Sequence, residues 1–468
     1  MLTIIVVLAL VILINVGITA LDNKFNLKLD LTDSRLYTIT DQTVKVVEGL
    51  KDDVYIYTLY VTGNENSVVQ EIANRYKAMS SHVHAENVDP NKNPTFLKDF
   101  QTSSTTLSAG SIIVSNAAKT RFTVIKPNDL YTYDDKGNVT SINVEAKLTS
   151  GIMYVTKEDI AKVYMITGHG EPTSNDETGP ALMTILQNNN YDVSWLDLNT
   201  FDGTLQPKDI ILMIYPTSDL SDAQRQVMKD FLTSGGRMVM ALSPVYIDKQ
   251  PNIQSLLQYY GVTMHSDVVI ERNRDNYFMN QQLYLVPNYE KHEIVNTFSS
   301  RGFSLVMPIS GYLTTQDLAV NTTIQIKPLL TTSSTAFATL NTSSTTTMQP
   351  SEGDNTSGSF VVGYSILDHK GEDNEVRLTV YSSSSLFTSI AMSANISSYA
   401  NEDLLLNSIS WVMGDEDSIY IRGKSNVSKL IYFSNATELY TMIIIVWPVL
   451  TLLFFMAGFV VYLRRKNL

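Results

Sequence analysis

Apolar segments that alternate with helix patterns constrain the fold of this chain more than any other feature. Residues 163–166 and 209–215 are apolar almost throughout, which is typical of strands that are covered on both faces. Helix patterns follow both segments, and Ser221 and Gln224 have the spacing of a capping box at the start of one helix. Alternation at this spacing predicts an α/β fold with a parallel, doubly wound sheet.

The carboxyl edge of such a sheet is where open α/β folds bind their ligands. The first apolar segment ends at Thr-Gly-His-Gly-Glu, residues 167–171, and its two glycines permit a sharp turn. Two neighbouring strands end at residues 216–219 and at Ser243 and Pro244. We therefore predict a loop that contacts a ligand or partner, formed by Gly168, His169, Gly170, Glu171, Ser218 and Asp219.

Two chemical interpretations of this loop are compatible with its residues. His169 and Glu171 can act as a base with its orienting carboxylate, or as two metal ligands. Ser218 or Ser243 would then be the nucleophile, because the chain contains no cysteine. In the other interpretation, His169 and Glu171 form hydrogen bonds within a tight turn or to a partner. Since no Gly-x-Ser-x-Gly motif accompanies them, we favour the second interpretation and predict no catalytic residue, metal or cofactor.

Two further motifs carry weaker signals. His82 and His84 lie on one face of a predicted strand, where they could bind a metal, but a surface strand is the preferred interpretation. Gly423-Lys424-Ser425 resembles the end of a phosphate-binding loop, yet Ser418 stands where the first glycine is required. ATP hydrolysis is therefore predicted to come from another chain.

The two ends of the chain are strongly apolar. Residues 1–20 and 440–463 contain no charged residue, and each is long enough to cross a membrane as a helix. The basic residues 464–466 place the C-terminus in the cytoplasm. We predict one transmembrane helix at each end, both termini cytoplasmic and the main domains extracytoplasmic at the cell membrane. A cleaved signal peptide is the alternative for residues 1–20. The net charge of −13 argues against a nucleic-acid partner.

The region between the ends divides into two predicted α/β domains. Residues 26–155 show the order strand–helix–strand–helix–strand–strand, which predicts a thioredoxin-like domain without the redox cysteines. Residues 160–275 form the first part of a doubly wound, flavodoxin-like domain. Residues 276–359 are a β-rich and Ser/Thr-rich insertion. Residues 360–420 complete the doubly wound domain with late strands and an amphipathic helix at 401–413.

Several separated segments resemble one known family. The Thr-Gly-His-Gly-Glu loop at residues 167–171 is similar to that of the auxiliary subunits of ABC transporters associated with gliding motility. Residues 88–94, 329–333 and 403–407 resemble the same family in the same order. Residues 382–387 depart from it, because Ser-Ser-Ser-Ser-Leu-Phe stands where relatives carry a Gly-Asp-Ser-Asp-Phe-like turn.

This resemblance implies a membrane-anchored extracytoplasmic protein that works with a separate ABC permease and ABC ATPase. It also implies a middle domain similar to class I glutamine amidotransferase-like folds without their nucleophile. We therefore expect a non-catalytic auxiliary subunit that binds an envelope partner or a small-molecule ligand. The alternative is an extracytoplasmic hydrolase-like ectoenzyme that uses His169 and Glu171 at the sheet edge.

Overall fold

The fold is taken from a computed structural model of the full chain. The described residues are 36–101, 107–133, 136–157, 161–201, 203–316, 323–340, 348–369, 375–388, 391, 400–414, 423–425 and single helical positions between 440 and 463. They belong to two compact units, residues 1–425 and 426–468. Among the described residues, no helix has the length and apolar character that a membrane crossing requires. The segment predicted to span the membrane at 1–20 lies outside the described residues, as does most of the segment at 440–463.

The first part of the chain folds around a four-stranded sheet. Its elements are α1 (Asp41–Glu48), β1 (Val54–Thr58), α2 (Ser67–Met79), β2 (Val83–Asn87), α3 (Pro94–Lys98), β3 (Ile112–Asn116) and β4 (Phe122–Ile125). The strand order is β2-β1-β3-β4, with β2 parallel to β1 and the other pairs antiparallel. The predicted order strand–helix–strand–helix–strand–strand is therefore present. Val54, Ile56, Ile72 and Tyr76 are buried between the sheet and α2.

A small hairpin and a helix connect this sheet to the next one. They are β5 (Tyr131–Tyr133), β6 (Val139–Ile142) and α4 (Val144–Thr156). α4 packs on the first sheet, where Gly151 allows close approach because a side chain there would meet Val114 and Thr123 at 3.0–3.1 Å. Residues 36–157 are called the N-terminal half below.

The central sheet begins with alternating strands and helices. These are β7 (Lys162–Thr167), α5 (Thr178–Asn188), β8 (Asp192–Asp197), β9 (Ile210–Ile214), α6 (Asp222–Thr233), β10 (Arg237–Ala241) and α7 (Pro251–Tyr259). β7 is parallel to β8 and β9, and β9 is parallel to β10. The capping box predicted at Ser221 and Gln224 is present at the start of α6. Residues 161–414 are called the central domain below.

A more irregular β-rich region follows. Its elements are β11 (Val262–His265), β12 (Val268–Ile270), β13 (Tyr284–Leu285), β14 (Asn288–Tyr289), α8 (Asn296–Arg301), β15 (Met307–Pro308), β16 (Tyr312–Thr315), β17 (Ile324–Thr331), β18 (Phe337–Thr339), β19 (Val361–His369) and β20 (Glu375–Tyr381). β16 and β17, which lie within the insertion predicted at residues 276–359, both pair with β19 of the central sheet.

The prediction of a parallel sheet is correct for only part of the central sheet. The strand order is β11-β16-β19-β20-β10-β9-β7-β8, and β20 is parallel to β10. β19 is antiparallel to β20, and β16 and β11 continue in antiparallel pairs. The physical reason is the short connection at residues 370–374, because a parallel pair needs a crossover of a dozen or more residues.

The last helix of the central domain is α9 (Asn401–Val412). It was predicted to be amphipathic, and this prediction is wrong. All of its residues except Glu402 are buried, because the sheet covers one side and the segment around Ile294 covers another. Its polar side chains are satisfied internally. Asn407 Nδ2 donates to the carbonyl of Ile294 at 2.8 Å, and Ser408 Oγ lies 2.6 Å from the hydroxyl of Tyr381.

After α9 the chain returns to the N-terminal half as β21 (Lys424–Ser425), which pairs with β6. The Lys424 ammonium lies 2.7 Å from Glu145 Oε2, and the two side chains are 12% and 3% exposed. Glu145 Oε1 accepts hydrogen bonds from the backbone N–H and the hydroxyl of Thr40 and from the hydroxyl of Thr43, each at 2.8 Å. The segment that resembled a phosphate-binding loop is thus a short edge strand held by a buried ion pair.

We expect Lys424→Ala to lower the free energy of unfolding by about 3 kcal/mol, because it leaves the buried Glu145 carboxylate without its counter-ion. Urea denaturation of the full chain in mild detergent measures this loss. Arg225→Ala is the control, since its partner Asp222 is 88% exposed and loss of this surface pair should cost less than about 1 kcal/mol. Equal effects of the two substitutions would contradict a stabilising role for the Lys424–Glu145 pair.

Candidate functional site

The sharp turn predicted after β7 is present and depends on its two glycines. Gly168 has φ +108° and Gly170 has φ +89°, a region that residues with a side chain rarely adopt. Space is limiting as well. A Cβ atom at position 168 would lie 2.5 Å from Asn199 Nδ2, and one at position 170 would lie 1.9 Å from Thr217 Oγ1. A side chain at position 168 would therefore collide with the segment after β8, and one at position 170 would collide with the loop after β9.

His169 and Glu171 form a buried pair inside this turn. His169 Nδ1 lies 3.3 Å from Glu171 Oε1, and the two side chains are 5% and 1% exposed. The other carboxylate oxygen, Oε2, accepts a hydrogen bond from the backbone N–H of His169 at 2.7 Å. The carboxylate thus holds both the ring and the backbone of the same histidine, which fixes the conformation of the turn.

The second ring nitrogen of His169 faces Gln224, with Nε2 3.1 Å from Oε1. The orientation of the Gln224 amide follows from its neighbours, because Oε1 accepts from Ser221 N and Nε2 donates to Asn199 Oδ1. His169 Nε2 therefore acts as a donor. With Nδ1 against a carboxylate, the doubly protonated imidazolium is favoured. The Glu171 carboxylate accordingly raises the pKa of His169, against the opposing effect of burial.

The loop after β9 is joined to this turn through its backbone. Thr217 N and Ser218 N donate to the carbonyl of His169 at 2.8 and 2.9 Å. Ser218 is exposed, whereas the Asp219 carboxylate accepts from Asn252 N and Ile253 N at 2.9 and 3.0 Å and thereby caps α7. Asp219 is engaged in holding the fold.

This geometry does not assemble a catalytic pair from the predicted residues. Both ring nitrogens of His169 are engaged, with Glu171 and Gln224, although the backbone of Ser218 is adjacent. Ser243 is 4% exposed, and its hydroxyl accepts from Val245 N at 3.3 Å. A nucleophile needs a base within hydrogen-bond reach, and the described contacts of the His169 ring provide none to either serine.

The turn after β20 at residues 382–387, where the sequence departs from the related family, closes the same edge of the sheet. Ser382 Oγ donates to the carbonyls of Gly311 and Val362 at 2.9 and 3.2 Å. Ser383 Oγ donates to the carbonyl of Pro308. Both serines are fully buried, so their hydroxyl groups serve the packing of the loops.

Several residues of the sheet edge were missed by sequence reasoning. Tyr215 at the end of β9 has φ +60°, which is strained for a bulky residue, and its ring packs edge-on against Tyr246 at 6.1 Å. Gln224 was identified only as part of a capping box, and Asn199 carried no signal. The contact of Gln224 with His169 joins positions 55 residues apart, which spacing along the chain does not reveal.

His84 lies in β2 and His82 directly precedes it. Both histidines contact one carboxylate that the sequence did not suggest as their partner. His82 Nδ1 and His84 Nε2 lie 3.1 and 3.5 Å from the same oxygen of Asp53. The pKa of the Asp53 carboxyl is lowered, chiefly because His82 forms a hydrogen bond with it. All three side chains are 40–46% exposed. Within the described part of the chain, no group of histidines and carboxylates is arranged to hold a metal ion.

The fold and the site together define a mixed α/β protein whose sheet edge is closed by a buried histidine–carboxylate pair. Residues 161–408, more than half of the chain, match the model of a family described as an ABC-type uncharacterized transport system. The chain therefore belongs to this family of ABC transporter auxiliary proteins. Residues 33–142 match the model of a domain of unknown function.

Two solved structures show a distant likeness. The mmIFT52 N-terminal domain is 17% identical with a TM-score of 0.38, and the match covers 54% of this chain and 97% of that one. The NTD_N/C domain of alkylhydroperoxide reductase AhpF from Enterococcus faecalis is 12% identical with a TM-score of 0.18, covering 33% and 75%. The search among curated proteins found no match.

We expect Gly170→Ala to destabilise the protein by more than Gly63→Ala. The two glycines have φ values of +89° and +90°, but an added Cβ at position 63 meets nothing within 4 Å. Gly63→Ala therefore measures backbone strain alone, about 1–2 kcal/mol, and Gly170→Ala adds the collision with Thr217. Urea denaturation of both variants gives the comparison. The double variant Gly170→Ala/Thr217→Ala should recover part of the loss, and strict additivity would contradict the collision.

The stabilising effect of His169 should depend on pH. Because its folded-state pKa is raised, its contribution to the free energy of unfolding is complete below the ordinary pKa of about 6.5 and declines as the pH rises through the folded-state value. Urea denaturation of the wild type and His169→Gln across this range isolates the effect from the other histidines.

Glu171→Gln provides the control for this titration, since it removes the carboxylate that raises the pKa. NMR titration of the His169 ring in that variant should give a pKa nearer to about 6.5. A stability difference between the wild type and His169→Gln that does not change with pH would contradict the ion-pair assignment.

Proposed function

We propose that this chain is a non-catalytic, membrane-anchored auxiliary subunit of an ABC transporter. In this role its extracytoplasmic domains bind an envelope partner or a ligand and work with a separate permease and a separate ATPase. The observation that carries the proposal is the family match over residues 161–408. The uncharged segments at residues 1–20 and 440–463 support anchoring at both ends, with cytoplasmic termini.

The geometry of the sheet edge supports a role without catalysis. A general base must reach the proton that it removes, but both nitrogens of the His169 ring contact groups of the protein itself. We infer that the ring and the Glu171 carboxylate shape the loop, and that its exposed part, which includes Ser218, contacts the partner.

We also propose which known fold each of the two domains resembles. The N-terminal half has the strand–helix–strand–helix–strand–strand order of a thioredoxin-like domain, and it lacks the cysteines for redox chemistry. The parallel strands β8, β7, β9, β10 and β20 with helices between them support a flavodoxin-like or amidotransferase-like central domain. Such folds are common in enzymes, but here the side chains at the strand ends contact other groups of the protein. This arrangement is compatible with a binding role.

Purification of the tagged full chain from its native membranes in mild detergent tests this function. We expect an ABC ATPase and a multispan permease to be recovered with it, because an auxiliary subunit must contact the transporter it serves. The variant His169→Gln/Glu171→Gln is carried through the same procedure. Failure to recover either subunit with the wild type would contradict the proposal. If the variant still assembles but a substrate turnover seen with the wild type is lost, the hydrolase-like ectoenzyme is the better interpretation.

A further inference from the structure

The loop after β9 is the exposed part of the candidate site, and its amide groups are held by the turn after β7. Ser218 is exposed, whereas Pro216 is buried. The backbone N–H groups of Thr217 and Ser218 both donate to the carbonyl of His169. These two hydrogen bonds leave the carbonyl groups of the loop to be held by another part of the protein.

The side chain of Gln250 holds these carbonyl groups. Its Nε2 atom donates to the carbonyls of Pro216 and Ser218 at 2.8 and 3.2 Å. Gln250 is fully buried and directly precedes Pro251, the first residue of α7. Its backbone is fixed as well, because its N–H donates to the carbonyl of Ile247 at 3.0 Å. One side-chain amide on a fixed backbone thus holds two carbonyls of the same short loop.

Packing alone does not explain why a glutamine is buried at this position. Gln250 Oε1 is buried and has no hydrogen-bond partner among the described residues. An unsatisfied buried acceptor is costly, and an unbranched apolar side chain such as methionine would avoid that cost. The amide cannot be reversed, because its oxygen would then face two carbonyl oxygens. The glutamine is therefore explained by the donor group that it supplies to the loop.

The loop needs this support because it begins in a strained conformation. Tyr215, which directly precedes Pro216, has φ +60°, a region that bulky residues rarely adopt. Such a conformation persists only where surrounding contacts hold it. The Tyr215 N–H donates to the carbonyl of Ala241 at 3.0 Å, and Gln250 holds the carbonyl of the next residue. The shape of the loop is therefore imposed by its neighbours.

The end of the loop is attached to α7 by separate contacts. The Asp219 carboxylate accepts from two backbone N–H groups at the start of α7, and Asn252 Nδ2 donates to the carbonyl of Leu220 at 2.7 Å. Gln250 instead contacts the part of the loop that contains the exposed Ser218. Among these contacts, the amide of Gln250 thus acts on the residue that a partner would meet.

We propose that Gln250 positions the loop after β9 for contact with the permease. Its amide holds the carbonyls on both sides of Thr217, so that the exposed Ser218 meets the permease in one preformed conformation. A preformed loop binds more tightly because less conformational entropy is lost on association. The inference rests on the proposed function. Of a permease and an ATPase, only the permease has an extracytoplasmic surface, which makes it the partner of an extracytoplasmic loop.

Gln250→Met in the full chain tests the amide, because methionine is also unbranched but has no donor group. Gln254→Met is the matched control. The Gln254 side chain also makes two hydrogen bonds, at 2.8 and 3.3 Å, but both join α7 to the backbone of Met264 and not to the loop. Each variant loses two hydrogen bonds, so a general loss of stability is common to both.

Hydrogen exchange of the purified chain in mild detergent, followed by mass spectrometry, measures the order of the loop. We expect the amides of Thr217 and Ser218 to exchange several-fold faster in Gln250→Met, because the loop opens more often. In Gln254→Met they should exchange at the wild-type rate. Unchanged exchange in Gln250→Met, or an equal increase in Gln254→Met, would overturn the positioning role.

Co-purification from native membranes measures the contact with the permease. We expect several-fold less permease with Gln250→Met than with the wild type or Gln254→Met, at equal amounts of the chain. Undiminished recovery together with faster exchange would overturn the loop as the permease contact and leave the auxiliary role intact. If the wild type itself recovers no permease, the proposed function fails together with this contact, while the exchange rates still decide whether Gln250 positions the loop.

Discussion

At the carboxyl edge of the central sheet, the turn after β7 closely approaches the loop after β9. The chemistry available at this edge depends on that approach. The carbonyl of His169 accepts two backbone hydrogen bonds from the loop after β9, and Gly170 leaves room for this approach because a Cβ atom there would collide with Thr217. The approach seals the His169 ring and the Glu171 carboxylate inside the turn. A pair of residues that sequence patterns associate with acid–base chemistry is thereby committed to holding two strand ends together.

The sequence predicts local features of this arrangement well because they depend on neighbouring residues. Apolar segments locate β7 and β9, the glycines locate the turn, and Ser221 with Gln224 locates the start of α6. It does not predict the second contact of Gln224 or the pairing of Lys424 with Glu145, because their partners come from distant positions. The direction of β19 also escapes prediction, although the short connection at residues 370–374 contained the reason.

The helix α9 shows why polar residues can mislead a prediction from periodicity. Asn401, Asn407 and Ser408 suggest a solvent-facing side, yet all three are buried. Each is satisfied by a carbonyl or hydroxyl of the surrounding core, such as the carbonyls of Val306 and Ile294. Burial of polar groups costs little free energy when their hydrogen bonds are complete, so the pattern of polarity alone cannot separate a surface helix from a central one.

The two buried ion pairs act over different lengths of chain, and this difference matters for a protein of this family. His169 and Glu171 are two residues apart and fix one turn, whereas Glu145 and Lys424 are far apart in the chain and join α4 to β21. A buried pair is weak evidence for stability as such, since well-packed apolar residues can serve equally well. Its directional contacts do, however, specify which segments meet. Here the contacts of Lys424 hold β21 on the N-terminal half, which fixes where the chain returns after α9.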